Sequence, residues 1–335
     1  MRALLIFNPQ ATSTSRLRRD VLVRALASEI ELEVVETRYR GHAATLASEA
    51  ARAGLDLVIT LGGDGTVNET VNGLMRSPGL AVPSGTAPSG AGLPGAGLPG
   101  AAQGGTADRL PALASIPGGN GNVFIRSLGL PADPIDATGH ILAGLSSGRT
   151  RSIGLGLAGD RYFTFSAGLG LDAEVVRAIE GLRASGRKAS DALYVWLTFR
   201  QYYSITDRKH PALTLERRGH PLVGDVFLGV VSNTAPWTYV GNHPVNASPL
   251  ASFDTGLDVF ALRRLRTVST VKVLGQMFSD GRKSPNGRYV LNLHDEPELT
   301  LRSIRPIAFQ VDGEYMGERE CVAFRSVPRA LRVVV

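Results

Sequence analysis

The chain of 335 residues is 43% hydrophobic and 20% charged, which is typical of a soluble globular protein large enough for two domains. Its single cysteine, Cys321, excludes an internal disulfide framework, and no apolar run approaches the roughly 20 residues that span a bilayer. Lysine and arginine outnumber aspartate and glutamate by 36 to 30, which favours anionic partners, but we find no dense basic tract interleaved with aromatic residues and expect no nucleic-acid partner.

Alternating apolar runs and helical spacings predict a βαβαβ unit in the first 61 residues. The start of the chain turns polar too soon for a signal peptide and is better explained as a strand at residues 3–7, so we expect a cytoplasmic protein. Further strands are expected at 32–35 and 57–61, and apolar residues recur at helical intervals over 17–30 and 43–50. This order favours a parallel sheet covered by helices.

The repetitive composition of residues 77–107 predicts an interruption of this domain. The stretch consists largely of glycine, proline, alanine and serine, and it contains the repeat GAGLPGAGLPG. Such a segment cannot bury enough apolar surface to order itself, so we interpret about 78–107 as a disordered insertion. A fourth strand is expected where apolar residues resume, at 110–116.

Beyond about residue 130 the pattern changes to short strand-like runs. Two of them flank the sequence AGDR at 158–161, which indicates a hairpin. Helical spacing appears at 173–179, 191–203 and 268–278. We therefore predict an α/β domain at residues 1–130 and a β-rich, sandwich-like domain at residues 131–335.

Three glycines surround one carboxylate where the third strand gives way to a helical pattern, in the sequence LGGDGTVNE at residues 61–69. Glycines at a strand-to-helix junction allow backbone N–H groups to approach a phosphate, and the positive end of the helix dipole favours the anion. Asp64 would repel a phosphate unless a cation or a hydrogen-bond donor lies between them, which suggests magnesium or an orienting network. The alternative is a tight turn in which Asp64 caps the helix.

A second glycine cluster, PGGNGNVF at residues 117–124, also follows a strand and precedes a short helical pattern. In a parallel sheet, the loops at the carboxyl ends of neighbouring strands line one crevice, so the two clusters could hold one nucleotide between them. The alternative for either cluster alone is an ordinary loop.

Near the end of the chain, Asp312 and Gly313 form a dipeptide that is common in hairpin turns. A functional interpretation is also open, in which Asp312 and Glu314 face a cleft between the domains as helper and general base. Because these residues are two positions apart, an extended strand would direct both side chains to the same side.

With these motifs the chain resembles the bacterial diacylglycerol kinase and lipid kinase family, whose catalytic domain is shared with sphingosine kinases and, more distantly, with NAD kinases. The residues from Gly62 to Glu69 match the family signature GGDGTxNE. Other similar segments extend over nearly the whole chain outside the insertion: Asn8-Pro9, Thr37 with Gly41-His42-Ala43, Arg126 to Leu130, Tyr162 to Gly170, and Asp312-Gly313-Glu314.

The resemblance implies a nucleotide-binding α/β domain with a parallel sheet, followed by a β-rich domain, with ATP in the cleft between them. It implies an ATP- and Mg²⁺-dependent lipid kinase that transfers the γ-phosphate to the hydroxyl of diacylglycerol or a related lipid, as a step in phospholipid biosynthesis. Such an enzyme would be cytoplasmic and peripherally associated with the membrane, and a homodimer is left open.

The resemblance also places the functional positions of the family on residues of this chain. The ATP site would be lined by Asn8, Thr37, Gly62, Gly63, Asp64, Gly65, Thr66, Asn68, Glu69, Gly119 and Asn120. Glu314 would accept the proton of the lipid hydroxyl, and Asp64 and Asp312 would support magnesium as further catalytic residues. A structural magnesium site would use Asp254 and the carbonyl of Leu257.

The sequence departs from the family in two loops. Val123 occupies the position of an acid in the second glycine loop, and Thr255 occupies that of an acid in the metal loop. Two alternatives therefore stay open. One is a soluble-metabolite kinase of the NAD kinase type, which would keep the GGDG motif, and the other is a catalytically weak protein that binds a nucleotide or a lipid.

Overall fold

The computed structural model describes residues 1–9, 16–76, 110–170, 173–178, 210–279 and 283–335. The insertion proposed at about 78–107 and the helix expected at 191–203 lie outside the described residues. Within the described ranges, no helix is both long and apolar enough to cross a membrane.

The first part of the chain forms a parallel sheet with helices on both faces, as the sequence predicts. Its elements are β1 (Arg2–Phe7), α1 (Arg16–Ala27), β2 (Glu31–Glu36), α2 (His42–Arg52), β3 (Leu57–Gly62), α3 (Asp64–Met75), β4 (Ala112–Pro117), α4 (Val123–Ser127) and α5 (Pro134–Ser146). The strands stand in the order β4-β3-β1-β2, all parallel. Because parallel strands end at one edge, the loops after β1, β3 and β4 lie side by side.

Alternate residues of the central strands face two opposite cores. Leu4 and Val58 pack on the side of α2 and α3, whereas Leu5 and Ile59 pack on the side of α1 and α5. Strands β3 and β4 are buried along their whole length. Coverage on both faces explains why their sequences are continuous apolar runs rather than alternating ones.

The second part of the chain is mainly antiparallel, which confirms the expected β-rich region. Its strands are β5 (Thr150–Ala158), β6 (Arg161–Phe163), β7 (Ser166–Gly170), β8 (Leu213–Glu216), β9 (Val223–Val226), β10 (Leu228–Ser232), β11 (Thr238–Val240), β12 (His243–Val245), β13 (Leu257–Leu262), β14 (Val290–Glu296), β15 (Glu298–Val311) and β16 (Glu314–Val334). Helix α6 covers residues 173–178, and α7 is Thr267–Met277. The predicted hairpin at 158–161 is the turn between β5 and β6.

One strand joins the two parts into a continuous sheet. Strand β16 is 21 residues long; it pairs antiparallel with β15 and β5, and near its end it pairs parallel with β4 through Val333 and Leu113. In the described ranges the sheet has 14 strands, and its longest path is β14-β13-β10-β7-β15-β16-β4-β3-β1-β2. Ile141 of α5 and Val334 of β16 both pack into the core beside α1. The domain boundary proposed at residue 130 stays a prediction.

Candidate active site

The two glycine loops touch each other at the carboxyl edge of the parallel sheet. The Gly118 amide donates to the carbonyl of Gly62 over 2.8 Å. A Cβ atom added to Gly119 would lie 2.8 Å from the Cα atom of Gly63, so no side chain fits there. Helix α3 begins at Asp64 with Gly63 as an N-cap that offers no side-chain hydrogen bond. The two loops therefore meet through backbone alone, next to the amino end of a helix, which attracts anions.

The carboxylate of Asp64 binds the second glycine loop. Its Oδ2 atom accepts from the Val123 amide and its Oδ1 atom from the Phe124 amide, each over 3.1 Å. Burial raises the pKa of Asp64 to about 6, and these backbone hydrogen bonds oppose the increase. The capping alternative therefore holds in a modified form, because Asp64 caps α4 across the loops rather than its own helix.

Asn122 closes the second loop and was not identified from the sequence. Its backbone is left-handed, with φ of 46°. Its side-chain amide donates to the carbonyl of Gly119 over 2.7 Å, and its Oδ1 atom accepts from the Gly119 amide over 3.0 Å. The signal that could have revealed it is the residue type, since asparagine is one of few non-glycine residues that tolerate this conformation. Asn120, which the resemblance assigned to ATP, is exposed beside it.

Asp312 is buried in a network that joins α3 to the second part of the chain. It is 3% exposed and accepts the side-chain amide of Asn68 over 2.7 Å. Further donors are the Thr164 hydroxyl and the backbone amides of Thr164, Phe165 and Ser166. Burial raises the pKa of Asp312 above its usual range, against the effect of these donors.

Glu314 lies against the first turn of α3. A Cβ atom added to Gly65 would approach Glu314 Oε1 to 2.5 Å. The Oε2 atom of Glu314 is 3.4 Å from a guanidinium nitrogen of Arg40 and 3.7 Å from one of Arg161, and its side chain is 22% exposed. The partly exposed carboxylate of Glu314 thus lies between two arginine side chains and the first glycine loop.

Arg161 connects this glutamate to the buried network. Its Nε and Nη2 atoms donate to Oδ1 of Asn68 over 2.9 and 2.6 Å. Sequence reasoning missed both Arg40 and Arg161, because no local motif marks them: their role depends on contacts with residues far away in the chain.

The geometry of the hairpin that carries the two acids differs from our expectation. Asp312 and Gly313 have positive φ values of 46° and 74° and form the two-residue turn between β15 and β16. Asp312 is therefore not part of an extended strand with Glu314. The hairpin interpretation is confirmed, and the two carboxylates approach α3 from the turn and from the first strand residue respectively.

The other residues assigned to ATP lie along the same edge. The side-chain amide of Asn8 donates to the Thr66 hydroxyl over 3.2 Å. The Thr37 amide donates to the carbonyl of Phe7 at the end of β1. Glu69 accepts the Gly41 amide over 2.7 Å and so ties α3 to the start of α2.

The proposed structural magnesium site lies in a different loop. Asp254 is exposed and its carboxylate forms an ion pair of 2.6 Å with Arg151. Leu257 follows at the start of β13 and is buried. Across the described residues, no group of three or more histidine, cysteine, aspartate or glutamate side chains is arranged to hold a metal ion. The assignment of Asp254 and Leu257 to magnesium stays a prediction.

Comparisons with known proteins extend this picture. Residues 2–156 match the model of the diacylglycerol kinase catalytic domain. A diacylglycerol kinase from Bacillus subtilis (strain 168) is 32% identical over 334 residues, which cover 94% of this chain and 90% of that protein. For a diacylglycerol kinase from Staphylococcus epidermidis, the match of 29% identity covers 48% of this chain and only 41% of that protein. In fold, the chain is similar to a crystal structure of a diacylglycerol kinase from Bacillus anthracis str. Sterne, with a TM-score of 0.68, 18% identity, and coverage of 99% and 96%.

Proposed function

Because the chain belongs to the diacylglycerol kinase family, we propose that it transfers the γ-phosphate of ATP to the hydroxyl of diacylglycerol or a related lipid. The observation that carries this proposal is the position of Glu314, an open carboxylate beside the amino end of α3 and flanked by two guanidinium groups. Phosphoryl transfer needs positioned phosphates, a metal ion and a base near the acceptor, and little covalent chemistry from the protein.

The glycine loops provide the part of the site that would bind ATP. The contact between Gly63 and Gly119 leaves backbone rather than side chains at the edge of the sheet. The uncapped start of α3 offers N–H groups and a partial positive charge to the phosphates. Asn8, Thr37 and Asn120 would complete the site from the neighbouring loops.

The proposed magnesium ion would be held at Asp64. Magnesium in kinases is bound by one or two carboxylates together with substrate phosphates, and it neutralises charge on the transferred group. Each oxygen of Asp64 accepts one backbone hydrogen bond and keeps capacity for a cation. The oxygens of Asp312 accept five donors between them, so its proposed part is to position Asn68 and, through it, Arg161.

Glu314 would take the proton from the lipid hydroxyl. A base for this step must be within hydrogen-bond reach of the acceptor and ionised at working pH. Arg40 and Arg161 would orient the carboxylate of Glu314. Val123 stands where the family has an acid, and its backbone amide donates a hydrogen bond to Asp64. The product would be a phosphorylated lipid available for phospholipid synthesis, made by a protein that acts peripherally at the cytoplasmic face of a membrane.

A parallel assay would separate this function from its alternatives. The protein is incubated with magnesium and γ-labelled ATP, together with diacylglycerol, sphingosine or NAD, and the labelled products are identified. Label in a lipid is the expected result, whereas label in NAD alone would indicate a soluble-metabolite kinase. Tight ATP binding without label in any acceptor would indicate a non-catalytic binder and would overturn the proposal.

A further inference from the structure

The net positive charge of the chain is concentrated in one segment. Residues 263–290 contain seven arginines and lysines and a single acid, Asp280, so their formal charge equals the +6 of the whole chain. The rest of the sequence is electrically balanced. Six of these cations lie in the described ranges and all six are exposed: Arg263, Arg264, Arg266, Lys272, Lys283 and Arg288.

Helix α7 stands in the middle of this segment and exposes apolar side chains among the cations. Val268 is 84% exposed and Val271 is 51% exposed, and their spacing of three places them on one side of the helix. On the opposite side, Val273 and Met277 are buried in a core cluster. The helix has no acidic residue. An apolar stripe flanked by cations is the pattern of a helix that lies in the interface of an anionic membrane.

A basic pocket opens beside the helix. Its volume is about 210 Å³, where one water occupies about 30 Å³, and Arg264, Lys272 and Arg288 are among its lining residues. Thr270 also lines it; this residue is 6% exposed, and its hydroxyl has no hydrogen-bond partner. The three cations around the pocket suit a phosphate group, which would accept from their N–H groups.

One aromatic ring lies close to three of these guanidinium groups. The ring of Tyr289 has the guanidinium carbons of Arg264, Arg266 and Arg288 at 5.7, 5.7 and 5.6 Å from its centroid. Cation–π attraction at this range limits the freedom of the arginines and keeps the positive charge at the pocket. The ring is thereby less available for stacking on a nucleobase.

We propose that these residues form a docking surface for a bilayer containing anionic phospholipid. The α7 surface, as we call it, comprises Arg264, Arg266, Val268, Val271, Lys272 and Arg288. The pocket takes a phosphate-bearing headgroup, and the two valines enter the interface. Exposed aliphatic side chains beside the cations favour a membrane over nucleic acid, which recognises basic surfaces through phosphates and stacking. The inference rests on the proposed function, in which the acceptor is a lipid.

The α7 surface is connected to the candidate active site through the hairpin β11–β12. At one end, the Asn246 amide donates to the carbonyl of Met277 over 2.8 Å. At the other end, the guanidinium carbon of Arg126 lies 3.3 Å from the centroid of the Tyr239 ring. Arg126 belongs to α4, the helix that Asp64 caps. The hairpin therefore links the end of α7 to the helix that follows the second glycine loop.

Vesicle sedimentation without ATP tests the surface directly. The protein should bind vesicles of mixed phosphatidylglycerol and phosphatidylcholine, bind pure phosphatidylcholine weakly, and lose binding as salt screens the charges. The variant Lys272→Gln/Arg288→Gln should lower the partition coefficient on the order of tenfold or more, since each cation near an anionic surface contributes several-fold. The matched control Arg24→Gln/Arg52→Gln removes two exposed cations elsewhere and should bind nearly as the parent does.

The apolar contribution has its own pair of variants. Val268→Ser should weaken vesicle binding by a few-fold, and Val21→Ser, at an exposed valine of α1, should not. Equal vesicle binding by the Lys272→Gln/Arg288→Gln variant and its control would overturn the proposal. Tighter binding to duplex DNA than to anionic vesicles would also overturn it and identify a nucleic-acid surface.

Failure of this inference can be told apart from failure of the proposed function. A short-chain diacylglycerol dissolved as a monomer bypasses docking, so the Lys272→Gln/Arg288→Gln variant should phosphorylate it at the parent rate while losing activity on vesicles. Kinase activity with charge-independent vesicle binding would refute the docking surface alone. Charge-dependent binding without activity on any lipid would refute the proposed function and leave the surface in place.

Discussion

Asn68 and Asp312 are joined by a hydrogen bond of 2.7 Å across 244 positions of the sequence. The same Asn68 side chain accepts two bonds from Arg161, which in turn lies beside Glu314. One buried amide thus aligns the helix after the first glycine loop with the carboxylate proposed to act as base.

Asn68→Ala should destabilise the protein, because the buried carboxyl group of Asp312 loses one of its five donors and Arg161 loses the acceptor of two hydrogen bonds. Loss of a buried partner costs about 1–3 kcal/mol in the free energy of unfolding. Urea denaturation measures the change. As a control, Thr138→Val removes a buried hydroxyl that bonds within its own helix, away from the loops. A loss no greater than that of Thr138→Val would contradict the structural importance of the network.

Glu314→Gln should retain ATP binding and lose turnover by a factor on the order of 10²–10⁴, the usual contribution of a positioned base. The amide keeps the size of the side chain and cannot accept the proton. Titration of a non-hydrolysable ATP analogue beside the kinase assay separates binding from catalysis. Glu318→Gln, at an exposed glutamate of the same strand, should be neutral. Retained activity in Glu314→Gln refutes the assignment, and lost nucleotide binding would move Glu314 to the ATP site.

As the pH rises and Asp64 ionises, the free energy of unfolding should decrease and turnover should increase. Its pKa is raised from 3.8 to about 6 in the folded protein, so between these values the native state retains a proton that the unfolded chain has released. The free energy of unfolding therefore decreases as the pH rises through this window and levels off above about 6. Turnover that needs ionised Asp64 should instead increase through the same range.

The variant Asp64→Asn isolates these effects. It should lack the decrease in urea midpoint between about pH 4 and 6 that Asp64 contributes in the parent, since an amide does not titrate there. It should also lose most turnover while staying folded. Parallel stability profiles of parent and variant, or parent-like turnover in the variant, would show that Asp64 does not have the proposed part.

Two substitutions at Asn122 separate the contributions of its side chain and of its backbone conformation to stability and ATP affinity. Asn122→Ala loses both hydrogen bonds to Gly119 and puts alanine, which tolerates a left-handed backbone less well than asparagine, at this position, so it should reduce ATP affinity and cost about 1–3 kcal/mol of stability. Asn122→Gly keeps the backbone conformation and should recover part of the stability but not the affinity. Calorimetry of nucleotide binding and thermal denaturation measure both. Equal behaviour of the two variants would exclude a backbone contribution.

The sequence predicted the strands and the glycine loops, because both depend on residues that are neighbours in the chain. Periodicity placed the strands around the first glycine loop, because coverage on both faces leaves a continuous apolar run such as residues 57–61. The glycine clusters were recognised because only glycine permits the approach of Gly63 to Gly119. Arg40 and Arg161 carried no such signal, since their positions depend on pairing between distant strands. We had derived the direction of the Asp312 side chain from the two-residue period of a strand, but Asp312 lies in a turn.

The uneven distribution of charge was missed for a different reason. A net charge summed over 335 residues gives no sign that a charge equal to the whole excess lies in residues 263–290. Only the fold brings Arg264 and Arg288, from opposite ends of that segment, to the same tyrosine ring. A search for aromatic-rich tracts, which suits nucleic-acid binders, does not detect a surface of this kind.

The long strand β16 constrains how the protein can change shape. It starts at Glu314 beside α3 and ends next to β4, whose own end leads into the second glycine loop. Separation of the two parts at this junction would break the pairing of Val333 with Leu113, so the sheet links movement of one part to movement of the other. The pairing with β5 shifts register between Val327 and Leu331, where Arg329 has a φ of 47°. Bulges of this kind bend a strand locally, and this point is where flexure of the sheet would concentrate.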